Sequence, residues 1–192
     1  DLVVTQPMPS MPVQLWNDPD AVRYTESYFD TWPGVWRHGD WVTMHSDGSI
    51  TIHGRSDSTL NRQGVRLGTG DFYDVLESLS EISETLVIGV EQPDGGYWLG
   101  LFVVPAPGHT LDDALKQKIV TTLRTQLSPR HVPDEILEAP AVPHTLTGKR
   151  LEVPIKKLMR GTPLEKAANP SSVDDPGALR WYADFAARRR SG

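Results

Sequence analysis

The chain has 192 residues, a formal net charge of −6 and no cysteine. The acidic balance argues against the basic stripe of a nucleic-acid reader, and the missing thiols exclude disulfides, thiolate nucleophiles and Cys-ligated metals. Hydrophobic residues at 38% and six Trp supply a sizeable core, while no run approaches the roughly 20 apolar residues of a membrane span.

The opening Asp1-Leu2-Val3-Val4-Thr5 has the character of a strand, carries no Met and is not a charged leader. It reads as a cut inside a larger protein, and the absence of cysteine suits a cytoplasmic one. Pro7, Pro9 and Pro12 then forbid regular structure. Asp18-Pro19 predicts a short helix through Tyr28, with Asp18 as cap and Pro19 at its first position. Residues 40–53 predict a hairpin: Trp41 to Met44 and Ile50 to His53 flank the turn Ser46-Asp47-Gly48-Ser49.

After Gly54 the pattern turns to α+β. Phe72, Val75, Leu76 and Leu79 share a helical face. Thr85 to Val90 and Tyr97 to Val104 predict two strands joined by a turn at Pro93-Asp94-Gly95-Gly96. Leu111, Leu115, Ile119, Leu123 and Leu127 recur every fourth residue, an amphipathic helix capped by Thr110 and stopped before Pro129. A short strand is expected near Ile136-Leu137 and a helical turn over 154–159. Residues 161–176 read as loop, and Gly177 to Ala187 as a last helix.

Three segments carry candidate chemistry. Gly54-Arg55-Ser56-Asp57 through Gly64-Val65-Arg66 sets two arginines around a glycine-containing turn. Arg grips phosphate or ribose oxygens with two bonds at once, and Gly64 lets backbone approach a ligand; a plain surface hairpin would use the same residues. Thr147-Gly148-Lys149 presents an ammonium on a short loop, suited to charge developing on phosphate or carboxylate oxygens, or simply to solvent. Gly39-Asp40 offers a carboxylate for ribose hydroxyls, or a turn-forming Asp. The spacing GxxxxGK[ST] is absent.

In this order the segments resemble the AMP-forming acyl-CoA synthetases of the adenylate-forming superfamily. The resemblance implies that Asp40 and Arg55 contact ribose, that Asp57 is the hinge between a large and a small domain, and that Arg66 approaches the adenylate phosphate. It implies further that Gly64 lines the CoA tunnel, that Arg124, 25 residues before Lys149, meets the CoA nucleotide, and that Lys149 is catalytic. Ser10-Met11-Pro12-Val13, Trp16-Asn17-Asp18-Pro19-Asp20, Trp36-Arg37-His38-Gly39-Asp40-Trp41, Ser128 to Asp134, Thr145 to Pro154 and the tail from Asn169 to Phe185 are similar to the acetoacetyl-CoA branch.

The implied architecture is α+β: residues 1–56 as the β-rich end of a large AMP-binding domain, 57–160 as a small lid, and 161–192 as an extension with a helix. The implied substrates are acetoacetate, ATP with Mg²⁺, and CoA, with no protein-bound metal, nucleic acid or membrane. No segment resembles the Ser/Thr/Gly-rich phosphate loop of such enzymes, so the chain alone is expected to be inactive. Asp71 stands where the family has Glu, on a capping position. Trp16, Trp32, Trp36 and Trp41 are expected to pack, and His38 and His131 to be structural or surface groups. A synthetase for another short acid, or a stand-alone binding module, remains open.

Overall fold

The computed structural model describes residues 1–62, 64–92 and 95–191. The chain divides into two compact units, Asp1–Asp57 and Ser58–Gly192.

In the first unit β1 (Val3–Val4) pairs antiparallel with β2 (Trp36–Arg37), and β3 (Asp40–Met44) with β4 (Ile50–Arg55). The β3–β4 register sets Asp40 opposite Arg55. Helix α1 spans Val22–Tyr28, a shorter helix than Asp18-Pro19 predicts. Ala21 adopts left-handed backbone, φ 53°, so the helix cannot extend back to Pro19. The Asp18 carboxylate still accepts N–H bonds from Tyr24 and Arg23, at 2.9 and 3.2 Å. These two bonds hold its carboxyl below the usual range against the opposing effect of burial. Trp36 is the buried centre, with Tyr28 stacked on it at 3.9 Å and Tyr24 and Phe29 edge-on. Trp16 and Trp32 do not pack as expected: both are exposed, Trp16 at 93%.

The second unit is built on one three-stranded sheet. β7 (Ile82–Glu91) runs antiparallel to β8 (Tyr97–Pro105), and β8 parallel to β9 (Glu135–Glu138). Before the sheet come the hairpin β5 (Leu60–Arg62) and β6 (Val65–Leu67), and α2 (Thr69–Leu76). After it come α3 (Asp113–Gln126), α4 (Glu152–Met159), α5 (Leu164–Ala167) and α6 (Pro176–Ser191). Side chains alternate across a strand, and the sheet uses both faces. Leu86, Ile88, Val90, Trp98 and Phe102 join one core with Ile155, Leu158, Leu179 and Tyr182. Val87, Leu99, Leu101 and Val103 join another with Phe72, Leu76, Ile119 and Leu123. The sheet is therefore a middle layer between α2/α3 and α4/α6, which is why β7 and β8 read as continuous apolar runs.

Local differences from expectation have local causes. Asp112, not Thr110, caps α3, accepting the Leu115 N–H at 2.8 Å; that is the third helical amide, the usual reach of a capping carboxylate. Gly68 is the N-cap of α2, and Asp71 makes no side-chain cap bond but adds negative charge to the first turn. Pro154 sits in the first turn of α4, where its missing N–H has no intrahelical partner to lose. Residues 161–176 are not all loop: α5 buries Ala167, and Asn169 caps a 3₁₀ turn at Pro170–Ser172. The turn expected at Pro93-Asp94 lies outside the described residues, as does Gln63. Among the described residues no helix is long and apolar enough to cross a membrane.

Candidate functional site

In the first unit Arg55 at the end of β4 and Asp57 just after it line a cleft of about 400 Å³ together with Tyr28, His38 and Gly39, and Asp40 stands opposite Arg55 beside it. Asp40 Oδ2 lies 2.7 Å from His38 Nδ1, so an Nδ1–H donates to the carboxylate. Asp40 Oδ1 is 3.6 Å from Arg55 Nη1. The Arg55 guanidinium is held from two further sides: Nε donates to Asp57 Oδ1 and Nη1 to the His38 carbonyl, both at 3.3 Å. Gly39 explains the closeness. Its φ is +89°, a backbone conformation that favours glycine, and a Cβ there would meet the Arg55 guanidinium, 2.7 Å from Nη2, and push it aside. The product is a carboxylate beside a fixed guanidinium at a cleft, able to accept from hydroxyls and donate to oxygens.

In the second unit Lys149 stands on a tight turn. His144 and Arg150 form an antiparallel bridge. Between them the Thr145 N–H donates to the Lys149 carbonyl at 2.8 Å, the Gly148 N–H to the Thr145 carbonyl at 2.8 Å, and the Lys149 N–H to Thr145 Oγ1 at 3.1 Å. Gly148 takes φ +81°, the left-handed conformation that closes such a turn. The flanks are pinned by charge. Glu84 Oε1 sits 2.7 Å from His144 Nε2 and 3.6 Å from Arg150 Nη2. Arg150 also pairs with Glu77 at 2.6 Å and lies over the Tyr73 ring, 4.2 Å from its centroid. Burial pushes the Glu84 carboxyl up, while His144 and Arg150 pull it down. Tyr73 donates to Glu152 Oε1 at 2.7 Å, and burial drives its phenol well above the usual range. Against this fixed base, Lys149 is exposed and its ammonium makes no ion pair among the described residues.

The other candidates lie elsewhere on the second unit. Gly64, φ +77°, and Arg66 are exposed on the β5–β6 hairpin. That hairpin is tied down through Arg62, which donates to the Val132 carbonyl and to Asp134 Oδ1 at 2.5 Å. The second oxygen of Asp134 accepts the Leu99 N–H at 2.7 Å. Tyr97 adds a tie, its hydroxyl accepting the Asn61 N–H at 3.1 Å. Arg55 and Arg66, which look paired around one turn in the sequence, therefore belong to different hairpins in different units. Arg124 is exposed on the last turn of α3 and makes no bond to Gly64 or Lys149. His131 is a packing residue: it is buried 5.1 Å from the Phe72 ring with Nδ1 at 2.9 Å from Ser128 Oγ, and burial pushes its imidazole down. Sequence reasoning missed Tyr73 in α2, Glu77 at its C-cap and Glu84 in β7, which have no motif around them.

Residues 74–149 match the family described as AMP-binding enzyme C-terminal domain. The acetoacetyl-coenzyme A synthetase of Rhizobium meliloti is 42% identical over 177 residues, covering 91% of this chain. The mouse acetoacetyl-CoA synthetase is 39% identical over 178 residues, again 91% of this chain. A solved acetoacetyl-CoA synthetase from Streptomyces lividans is 60% identical, with a TM-score of 0.89 over 97% of this chain.

The chain is homologous to the acetoacetyl-CoA synthetases. It carries the C-terminal domain of the AMP-binding enzymes, and the family match ends on Lys149 itself. The chain spans about a quarter of the length of the relatives it matches, 27% of the Rhizobium protein and 28% of the Streptomyces one. The sheet, α2, α3, β9 and the Lys149 turn thus fall within or at the edge of the AMP-binding C-terminal domain. The α4–α6 segment that completes one face of the sheet lies beyond the matched residues.

Proposed function

We propose that the complete protein is an acetoacetate–CoA ligase. A carboxylate oxygen of acetoacetate attacks the α-phosphorus of ATP, forming acetoacetyl-adenylate and expelling pyrophosphate. The CoA sulfur then attacks the acyl carbon, AMP leaves with the bonding pair, and the thiol proton passes to solvent. Lys149 serves the first step. Asp40 and Arg55 take the ribose, Arg66 the phosphate side of the adenylate, and Gly64 and Arg124 the pantetheine and nucleotide of CoA. Mg²⁺ enters as the companion of the ATP phosphates, and the reaction belongs to the cytoplasm.

The observation that carries this reading is the Lys149 turn: an exposed ammonium on a base fixed by Glu84, Glu77 and Tyr73, in a chain homologous over 91% of its length to an acetoacetyl-CoA synthetase. An ammonium of that kind can follow charge as it develops without its support moving. The test is adenylate and thioester formation by the full-length protein across short carboxylic acids. Acetoacetate should exceed acetate and other short acids in kcat/KM by about tenfold or more, since a site built around a substrate oxygen rejects acids lacking it. A higher value for another acid reassigns the substrate. No adenylate with any acid leaves the binding-module reading.

Asp57 is proposed as the hinge, supported by the unit boundary after it. Asp57→Pro in the full-length protein fixes φ near −65° and should trap one lid orientation. One half-reaction then falls by about 10²-fold or more while the other survives, the scale of a misassembled site. Equal loss of both half-reactions, with folding intact by circular dichroism, refutes the hinge.

A further inference from the structure

The Lys149 turn is too small to hold itself. A two-stranded ribbon is marginal in water, and this one has a single bridged pair, His144 and Arg150. Part of its support comes from far along the chain, from the segment between the 3₁₀ turn and α6. Thr145 forms a second antiparallel bridge with Val173. The Leu146 N–H donates to the Ser172 carbonyl at 3.2 Å, and the Asp174 N–H to the His144 carbonyl at 3.0 Å. Asp174 Oδ1 accepts the His144 N–H at 2.7 Å, and its Oδ2 lies 3.4 Å from His144 Nδ1. His144 is thus held between two carboxylates, Glu84 on β7 and Asp174 on the tail.

The holding segment is itself fixed at both ends. Asn169 caps the 3₁₀ turn that leads into it. Asp175 Oδ1 accepts the Ala178 N–H at 2.9 Å at the start of α6. Between them Val173 is 5% exposed and belongs to the same core as Leu179 and Tyr182. A strand-like piece anchored in a core transmits its position to what is bridged to it. Burial raises the Asp174 carboxyl, but N–H bonds from His144 and Asp175 and the nearby His144 ring hold it below the usual range, so the ionised acceptor is the form that fits.

We propose that Ser172–Asp174 is a strap that positions Lys149, with Asp174 as its positioning residue. The proposal rests on the adenylation role given to Lys149. It assigns a task to a segment beyond the residues matched by the family, and it makes the geometry of the first half-reaction depend on the C-terminal tail.

The experiment compares Asp174→Ala and Asp174→Asn in the full-length protein with wild type, each also in a Lys149→Ala background. Asp174→Ala should lower kcat for adenylation by about tenfold to a hundredfold, the effect of a small misplacement of a reacting group. KM for ATP should stay within about twofold, since binding contacts are untouched. Thioester formation from supplied acetoacetyl-adenylate should be unchanged. Asp174→Asn keeps the acceptor for the His144 N–H and should recover most of the loss. With Lys149→Ala already present, Asp174→Ala should slow adenylation no further. A normal rate for Asp174→Ala, equal loss in the Ala and Asn variants, or full additivity with Lys149→Ala overturns the proposal. If Lys149→Ala leaves adenylation intact, it is the reading of Lys149 that fails. Amide exchange on the wild-type protein is a second readout that needs no variant. Leu146 is 70% exposed, yet its N–H should be protected by Ser172, and an unprotected Leu146 amide overturns the strap by itself.

Discussion

Lys149→Ala in the full-length protein should slow adenylate formation by roughly 10²–10³-fold, the range for losing one well-placed charge or donor. Negative charge concentrates where the carboxylate meets the α-phosphate, and an ammonium on a fixed base meets it without reorganising. The turn around Lys149 supplies that base: Gly148 closes it, Thr145 ties it internally, and Glu84 holds both flanks. Thioester formation makes a different demand: the thiol must reach the acyl carbon, and under the hinge proposed at Asp57 the lid has turned by then, so Lys149 no longer faces the phosphate as AMP departs with its charge. Conversion of supplied acetoacetyl-adenylate and CoA should therefore remain near the wild-type rate. Pyrophosphate exchange reads the first step and thioester absorbance the second. A parallel loss of both, or unimpaired exchange, removes Lys149 from the role proposed for it. Acylation of Lys149 should act as the alanine does, since it removes the charge.

Tyr182→Ala should destabilise the second unit by about 3–5 kcal/mol, the usual scale for emptying a large buried aromatic site. Tyr182 is fully buried on α6, with its ring 4.9 Å from Phe102 of β8 and 5.0 Å from Trp181. Leu179 and Ala186 flank it in the same core, so the void has rigid walls. The hydroxyl behaves differently. It is buried without a hydrogen-bond partner among the described residues, and burial pushes the phenol far above its usual range. An unsatisfied buried hydroxyl carries a desolvation penalty of about 1–3 kcal/mol, so Tyr182→Phe should be neutral or stabilising. Urea denaturation followed by near-ultraviolet circular dichroism measures both. Destabilisation of Tyr182→Phe by more than about 1 kcal/mol, the net value of one hydrogen bond, would reveal a partner for the hydroxyl.

Much of the fold and of the candidate site was legible from short stretches of sequence. The fourfold recurrence of Leu115, Ile119 and Leu123 set α3 and its buried stripe, because helix periodicity acts over a few turns. The turn composition of Ser46 to Ser49 marked the hairpin at whose start Asp40 stands. Thr147-Gly148-Lys149 contains its own turn chemistry, so an exposed lysine could be read there before any contact was known. Each of these depends on backbone dihedrals and spacings within about fifteen residues. The tertiary structure decided what such local rules leave degenerate. Thr110 and Asp112 both carry a capping oxygen, and only the backbone path into α3 selects Asp112. Trp16 and Trp36 are alike in type, yet one is exposed and the other buried under Tyr28. Above all, the meeting of His144 with Glu84 and Asp174 joins three elements 30 and more residues apart. Such a contact leaves no period in the sequence, because it is made only when the two faces of one sheet are covered by the burial of apolar surface.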